Sequence, residues 1–162
     1  MPAFDPDAEV TELTLTIHQM PAGSPTRVGE IVFKLKDKDY THKCTVSQYD
    51  YIYAAVGSHP DAADEVNDAV IAEYRELCKL NSKIKAIGEI GLDYHYEDIP
   101  RDLQKKAFIA QLELAKELDL PVIVHERDAH EDGMKIVTEF PEITGVFHCY
   151  SGSYEMAKWL ID

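Results

Sequence analysis

The sequence predicts an α/β protein in which four strand–helix units, from about residue 51 to residue 162, share one parallel sheet. Three observations predict it. Short continuous apolar runs recur along this region. Each is followed by a stretch with apolar residues at spacings of three and four. Each run gives way to glycine or to an ionisable residue. Parallel strands joined in this way take right-handed crossovers. Two architectures satisfy the pattern: an open doubly wound sheet, or part of a (β/α)8 barrel. A complete barrel takes about 200–250 residues, so four units form half of one.

The elements follow in order. Residues 1–9 carry two prolines and three acids and read as a tail. From Glu12 to His18, Leu13, Leu15 and Ile17 alternate with Thr14, Thr16 and His18, a half-buried strand. Pro21, Gly23 and Pro25 break it. Ile31, Phe33 and Leu35 alternate next, so residues 1–45 form a β-hairpin leader. Lys34 to Lys43 is polar and charged and reads as a turn or linker. The α/β region is then residues 46–162.

Ile52 to Val56 is the first buried strand, closed by Gly57-Ser58-His59-Pro60. A helix follows with Val66, Val70, Tyr74 and Leu77/Cys78 on one stripe. Ile84 to Ile90 is the second strand. Pro100 and Asp102 introduce a helix with Leu103, Ala107, Ala110, Leu114 and Leu118 in helical spacing. Leu120 to Val124 is the third strand, ending at His125, and a helix with Ala129, Ile136, Val137 and Phe140 follows it. Ile143 to Phe147 is the fourth strand, ending at His148; Ser153 caps a last helix with Met156, Ala157 and Leu160.

Strand ends on one edge of a parallel sheet are where sites are built. Here they carry His59, Glu89, His125 and His148. Glu89 stands in Gly88-Glu89-Ile90-Gly91. A carboxylate there needs a cation, a proton or hydrogen bonds, and the glycines admit a close neighbour. A lone strand-end histidine is more often a packing residue. Two histidines and a glutamate on one edge make an N/O donor set suited to Zn²⁺, Mn²⁺ or Mg²⁺. Other residues carry bland readings. Cys149 should point to the opposite face from His148 as a buried thiol. His95 and His130 fall in solvent-facing loops, and His18 and His42 have no partner at metal spacing. Asp64, Glu65 and Asp68 complement a helix N-terminus. There is no P-loop, no G-x-G-x-x-G and no G-x-S-x-G.

Composition narrows the class. A formal charge of −14 repels phosphates and anionic membranes unless cations intervene, which speaks against a protein that coats DNA non-specifically. It is compatible with an enzyme whose metals supply positive charge. Three cysteines without C-x-x-C indicate free thiols in a reducing compartment. The acidic N-terminus has no apolar h-region and no run reaches the roughly 20 residues of a membrane span, so the expectation is a soluble, cytoplasmic chain.

The segments YIYAAVGSHP, IKAIGEIGLDYHY, LPVIVHERDAHED and GVFHCYSGS occur in this order. Together they resemble the TatD family of metal-dependent deoxyribonucleases, over roughly residues 48–162. The resemblance implies the third to sixth βα units of a (β/α)8 barrel of the metal-dependent hydrolase type, acting on DNA. Position by position, Glu89 resembles the carboxylate that bridges two metals, and His125 and His148 resemble histidine ligands. His59 resembles a residue near the substrate phosphate, and Asp93 and Arg127 match supporting positions. Glu89 and His59 are thus the catalytic candidates. The chain departs from the family in lacking an H-x-H pair and the Thr-Asp of the last strand. Residues 1–45 do not resemble its first two units. The reading set beside the hydrolase is a non-catalytic fragment, fusion or engineered chimera serving as a folding or assembly unit. Four parallel strands leave two edges open, which predicts self-association, most simply a homodimer.

Overall fold

A computed structural model describes residues 10–17, 29–35, 38–44, 53–96 and 98–161. The chain divides into two compact units, residues 1–52 and 53–162. The first contains β1 (Val10–Ile17), β2 (Gly29–Leu35) and β3 (Lys38–Cys44) in an antiparallel sheet of order β1-β2-β3. Leu13 pairs with Phe33 and Leu15 with Ile31, which keeps the two alternating runs in register. The stretch read as a linker after Lys34 is instead largely a strand. Lys38–Cys44 pairs along β2, with Tyr40 opposite Phe33 and His42 opposite Ile31. Its polar residues fit an edge strand, where one backbone row needs no apolar cover. His18 lies outside the described residues.

The second unit contains β4 (Ala54–Val56), α1 (Asp68–Leu80), β5 (Ile84–Asp93), α2 (Arg101–Leu118), β6 (Val122–Arg127), α3 (His130–Thr138), β7 (Gly145–His148) and α4 (Tyr154–Ile161). Its sheet is parallel with order β4-β5-β6-β7, the order of the chain. This is the predicted run of four βα units. The core is Val56, Ile87, Ile90, Leu92, Val122 and Val124 of the sheet against Tyr74 of α1, Phe108, Leu112, Leu114 and Ala115 of α2, and Ile136 of α3. No helix among the described residues is long and apolar enough to cross a membrane.

Four boundaries differ from expectation: Tyr53 precedes β4, which begins at Ala54, and three others follow. β5 runs on to Asp93, so Glu89 lies inside the strand, at an irregularity between Gly88 and Ile90. β6 continues through His125 to Arg127, whereas Leu120 and Pro121 precede it. Ile143 belongs to the turn that leads into β7, its amide bonded to the Phe140 carbonyl. On α2 the buried face is Gln104, Ala107, Phe108, Gln111, Leu112, Leu114 and Ala115, while Leu103 is 40% exposed. The predicted stripe found Ala107 and Leu114 of that face but not Gln104 and Gln111, which do not register in apolar periodicity.

Candidate functional site

Glu89 is held where β5 departs from regular pairing, between residues that cannot be larger. A Cβ on Gly88 would lie 2.7 Å from Ile123 Cβ, and one on Gly91 would lie 2.0 Å from the His125 carbonyl oxygen. Gly91 also has φ +142°, a conformation closed to side chains. The close approach sets β6 against β5, with Gly91 opposite His125 and Asp93 opposite Arg127. β7 adds His148 directly opposite His125.

The predicted residues converge. Glu89 Oε1 lies 2.8 Å from His148 Nδ1 and 3.2 Å from His125 Nδ1. His125 Nε2 lies 3.0 Å from Asp93 Oδ2. The His59 ring stands edge-on to that of His125, with centroids 4.3 Å apart. His59 follows β4 as the cap of a short 3-10 helix, Pro60–Glu65, and its Nδ1 accepts from the Asp61 amide at 3.3 Å. His59, Glu89 and His125 each offer a donor atom, all within 4.8 Å of one another. Asp93 is buried and also accepts from the His95 amide at 2.9 Å. Burial alone would raise its carboxyl. The hydrogen bonds from His125 and the His95 amide, with the charges of His125 and Arg127, outweigh burial and hold it below the usual carboxylate range.

An ionised Asp93 accepts a hydrogen bond from His125 Nε2, and whenever His125 carries a single proton this leaves a lone pair on Nδ1 facing the Glu89 oxygen. Two acceptors face each other there unless a proton or a cation lies between them. Nitrogen and oxygen donors each about 2.0–2.1 Å from a tetrahedral zinc are themselves about 3.4 Å apart. The 3.2 Å contact of His125 approaches that spacing, whereas the 2.8 Å contact of His148 is an ordinary hydrogen-bond distance. Among the described residues the group at metal-ligand spacing is His59, Glu89 and His125, which suits a divalent cation; His148 adds its contact with Glu89 but is not one of that group, and Asp93 stands behind His125.

Arg127 does not touch the donors. Its guanidinium lies over the Tyr96 ring, 5.3 Å from the centroid. Cys149 is exposed rather than buried, because it adopts φ +47° in the turn after β7 and breaks the strand alternation; its Sγ is 3.2 Å from His148 Nε2. His95 is in a loop as expected and meets Asp128 at 3.0 Å. His130 instead opens α3, where it hydrogen-bonds the buried Glu126; that carboxylate also accepts from the Ala129 amide at 2.8 Å.

Sequence reasoning missed the two residues that brace the site. Gln104 accepts from the Asp93 amide at 2.8 Å and donates to the Asp93 carbonyl at 2.8 Å. Gln111 accepts from the Ser58 amide at 2.6 Å and donates to the Ser58 carbonyl at 3.1 Å. They stand two helical turns apart on the buried face of α2 and hold the backbone beside His59 and the end of β5. The available signal was polar residues seven apart within an apolar face.

A parallel α/β sheet whose carboxyl edge gathers histidines and carboxylates at metal-ligand spacing defines the class of metal-dependent hydrolase scaffolds. The comparisons place the chain within it. The model of the TatD related DNase family matches residues 11–162, and the chain belongs to that family. The match extends into the leader, beyond the region 48–162 that carried the resemblance. The chain is 44% identical over 115 residues to "Uncharacterized metal-dependent hydrolase YabD" of Bacillus subtilis (strain 168), covering 70% of this chain and 45% of that protein. It is 43% identical over 108 residues to "3'-5' ssDNA/RNA exonuclease TatD" of Rahnella sp. (strain Y9602), covering 64% of this chain and 40% of that one. The crystal structure of YJJV, a TatD homolog from Escherichia coli K12, superposes with TM-score 0.65 at 34% identity, over 71% of this chain and 45% of that one. The chain spans less than half the length of these relatives.

Proposed function

We propose that this chain carries the ligand-bearing edge of a divalent-metal-dependent phosphodiester hydrolase whose substrate is DNA. The observation that carries it is the Glu89 carboxylate set against the Nδ1 atoms of both His125 and His148. In this reading Glu89, His125 and His148 hold Zn²⁺, Mn²⁺ or Mg²⁺. The cation, when bound, activates water and stabilises charge on the phosphoryl oxygens. Asp93 keeps the His125 proton on Nε2, and Arg127 favours the ionised Asp93. Asp61, through its carboxylate at 2.9 Å and its amide at 3.3 Å, occupies His59 Nδ1 and leaves Nε2 for a substrate phosphate oxygen.

Calorimetric titration of Mn²⁺ or Zn²⁺ into the wild type and His125→Ala tests the reading. The wild type binds, and the variant binds at least tenfold more weakly. Equal affinities remove the site.

The exposed thiol of Cys149 supports a reducing, cytoplasmic setting. The edge strand β7, with Val146 59% exposed, and α4, with Tyr154, Trp159 and Ile161 exposed, support self-association as a homodimer. Sedimentation equilibrium over a hundredfold concentration range checks it; a constant mass of 18.3 kDa contradicts it.

A further inference from the structure

The two histidines that face Glu89 are held differently at their far nitrogens. His125 Nε2 meets the Asp93 carboxylate at 3.0 Å. An ionised carboxylate only accepts, so it keeps a proton on that nitrogen and presets Nδ1 as a donor to a cation. His148 Nε2 instead meets Cys149 Sγ at 3.2 Å. A thiol is both a weak donor and a weak acceptor, so it can partner that nitrogen with or without a proton.

The contact depends on the backbone. Strand alternation would carry residue 149 to the face opposite His148. The φ of +47° at Cys149 instead turns its side chain to the imidazole. Positive φ is uncommon in residues other than Gly, Asn and Asp. A cysteine held in it beside a histidine calls for a reason. On its other side, His148 Nδ1 lies 2.8 Å from Glu89 Oε1, an ordinary hydrogen-bond distance. With one proton on the ring, that proton is then on Nδ1, and the Cys149 thiol donates to a bare Nε2. A cation shared by Glu89 and His148 Nδ1 needs the other tautomer, with Nδ1 bare and the proton on Nε2, facing sulfur.

We propose that His148 changes tautomer when it takes up a cation, and that Cys149 is the positioning residue that receives its Nε2 proton in a hydrogen bond. Sulfur then stands to His148 as Asp93 stands to His125. Unlike Asp93, it accommodates both tautomers. His125 is preset and His148 is switched. The inference rests on the reading in which Glu89, His125 and His148 hold the cation, and adds how His148 is brought to it.

Long-range proton–nitrogen correlation spectra of the full chain at about pH 8, where an imidazole ordinarily carries one proton, read both tautomers. In EDTA His148 shows Nδ1–H, and with Zn²⁺ it shows Nε2–H; His125 shows Nε2–H in both. A His148 with the same tautomer in both samples overturns the switch. Calorimetric titration of Zn²⁺ follows, with circular dichroism verifying that each variant is folded. Cys149→Ala binds about tenfold more weakly, the low end for a lost outer partner, because sulfur is a weak acceptor. Cys149→Asn offers a neutral acceptor, tolerates positive φ and restores the wild-type affinity. An alanine variant that binds as tightly as wild type, or an asparagine variant no better than alanine, overturns the role of Cys149. In either case, a His148→Ala variant that binds weakly leaves the ligand reading standing. A His148→Ala variant with wild-type affinity removes His148 from that reading and the inference with it.

Discussion

Gln111→Leu should unfold the second unit at lower denaturant while changing its volume little. In the native state the Gln111 amide satisfies both backbone polar groups of Ser58, the N–H at 2.6 Å and the carbonyl at 3.1 Å. Gln111 is 1% exposed and Ser58 5%, so water does not replace the lost partner. Each buried polar atom left unpaired costs about 1–3 kcal/mol. Two such atoms give about 2–6 kcal/mol, a large share of the 5–15 kcal/mol typical of a domain. With a urea dependence of about 1–3 kcal/mol per M, the midpoint falls by about 1 M or more. Urea unfolding followed by circular dichroism measures this, with Glu113→Gln on the exposed face of α2 as the control. The His59 loop is loosened as well, so oligonucleotide affinity falls in the folded variant. A midpoint unchanged within about 0.3 M would mean that the Ser58 backbone is satisfied without Gln111 and that the bracing role is wrong.

Other changes have definite outcomes. Gly91→Ala places a methyl 2.0 Å from the His125 carbonyl at φ +142°. It should prevent β5 from pairing with β6, so that soluble folded protein is not recovered; a folded variant with wild-type metal affinity would contradict this. Phe108→Ala, at a position 1% exposed, should cost about 3–5 kcal/mol in urea unfolding. Asp132 supplies a pH effect. The hydrogen bond from Tyr94, aided by Lys105, holds its carboxyl below the ordinary value. Stability from this depressed pKa is full above the unfolded value of about 3.9 and is lost as pH falls through the folded value. Asp132→Asn should therefore flatten the acid side of a plot of urea midpoint against pH, and an unchanged slope would remove the linkage.

The parallel sheet was legible because its strands read as short apolar runs, as in Ala54–Val56 and Val122–Val124. The donor residues were legible because each closes or follows such a run. Glu89 was misplaced at a strand end: the irregularity at Gly88 depends on contact with Ile123, which no local pattern encodes. Cys149 was misjudged because alternation holds only while a strand lasts, and the backbone turns at that residue. Gln104 and Gln111 escaped notice because each serves a backbone group far away in sequence, and polar side chains on a helix usually signal solvent. β3 was hidden by its own composition, since Lys38, Asp39, His42 and Lys43 are poor advertisements for a strand.

His148 and Glu89 touch although β6 lies between their strands. A terminal strand of four residues, held on one side by a short ladder, is the part of a sheet most prone to fray. The contact across β6 gives that strand a second anchorage, made by side chains and independent of the ladder. The state of the contact between the histidine and the carboxylate therefore decides how firmly the margin of the sheet is closed. Amide hydrogen exchange along Gly145–His148 would then record the state of the site from the backbone, without any substrate being present.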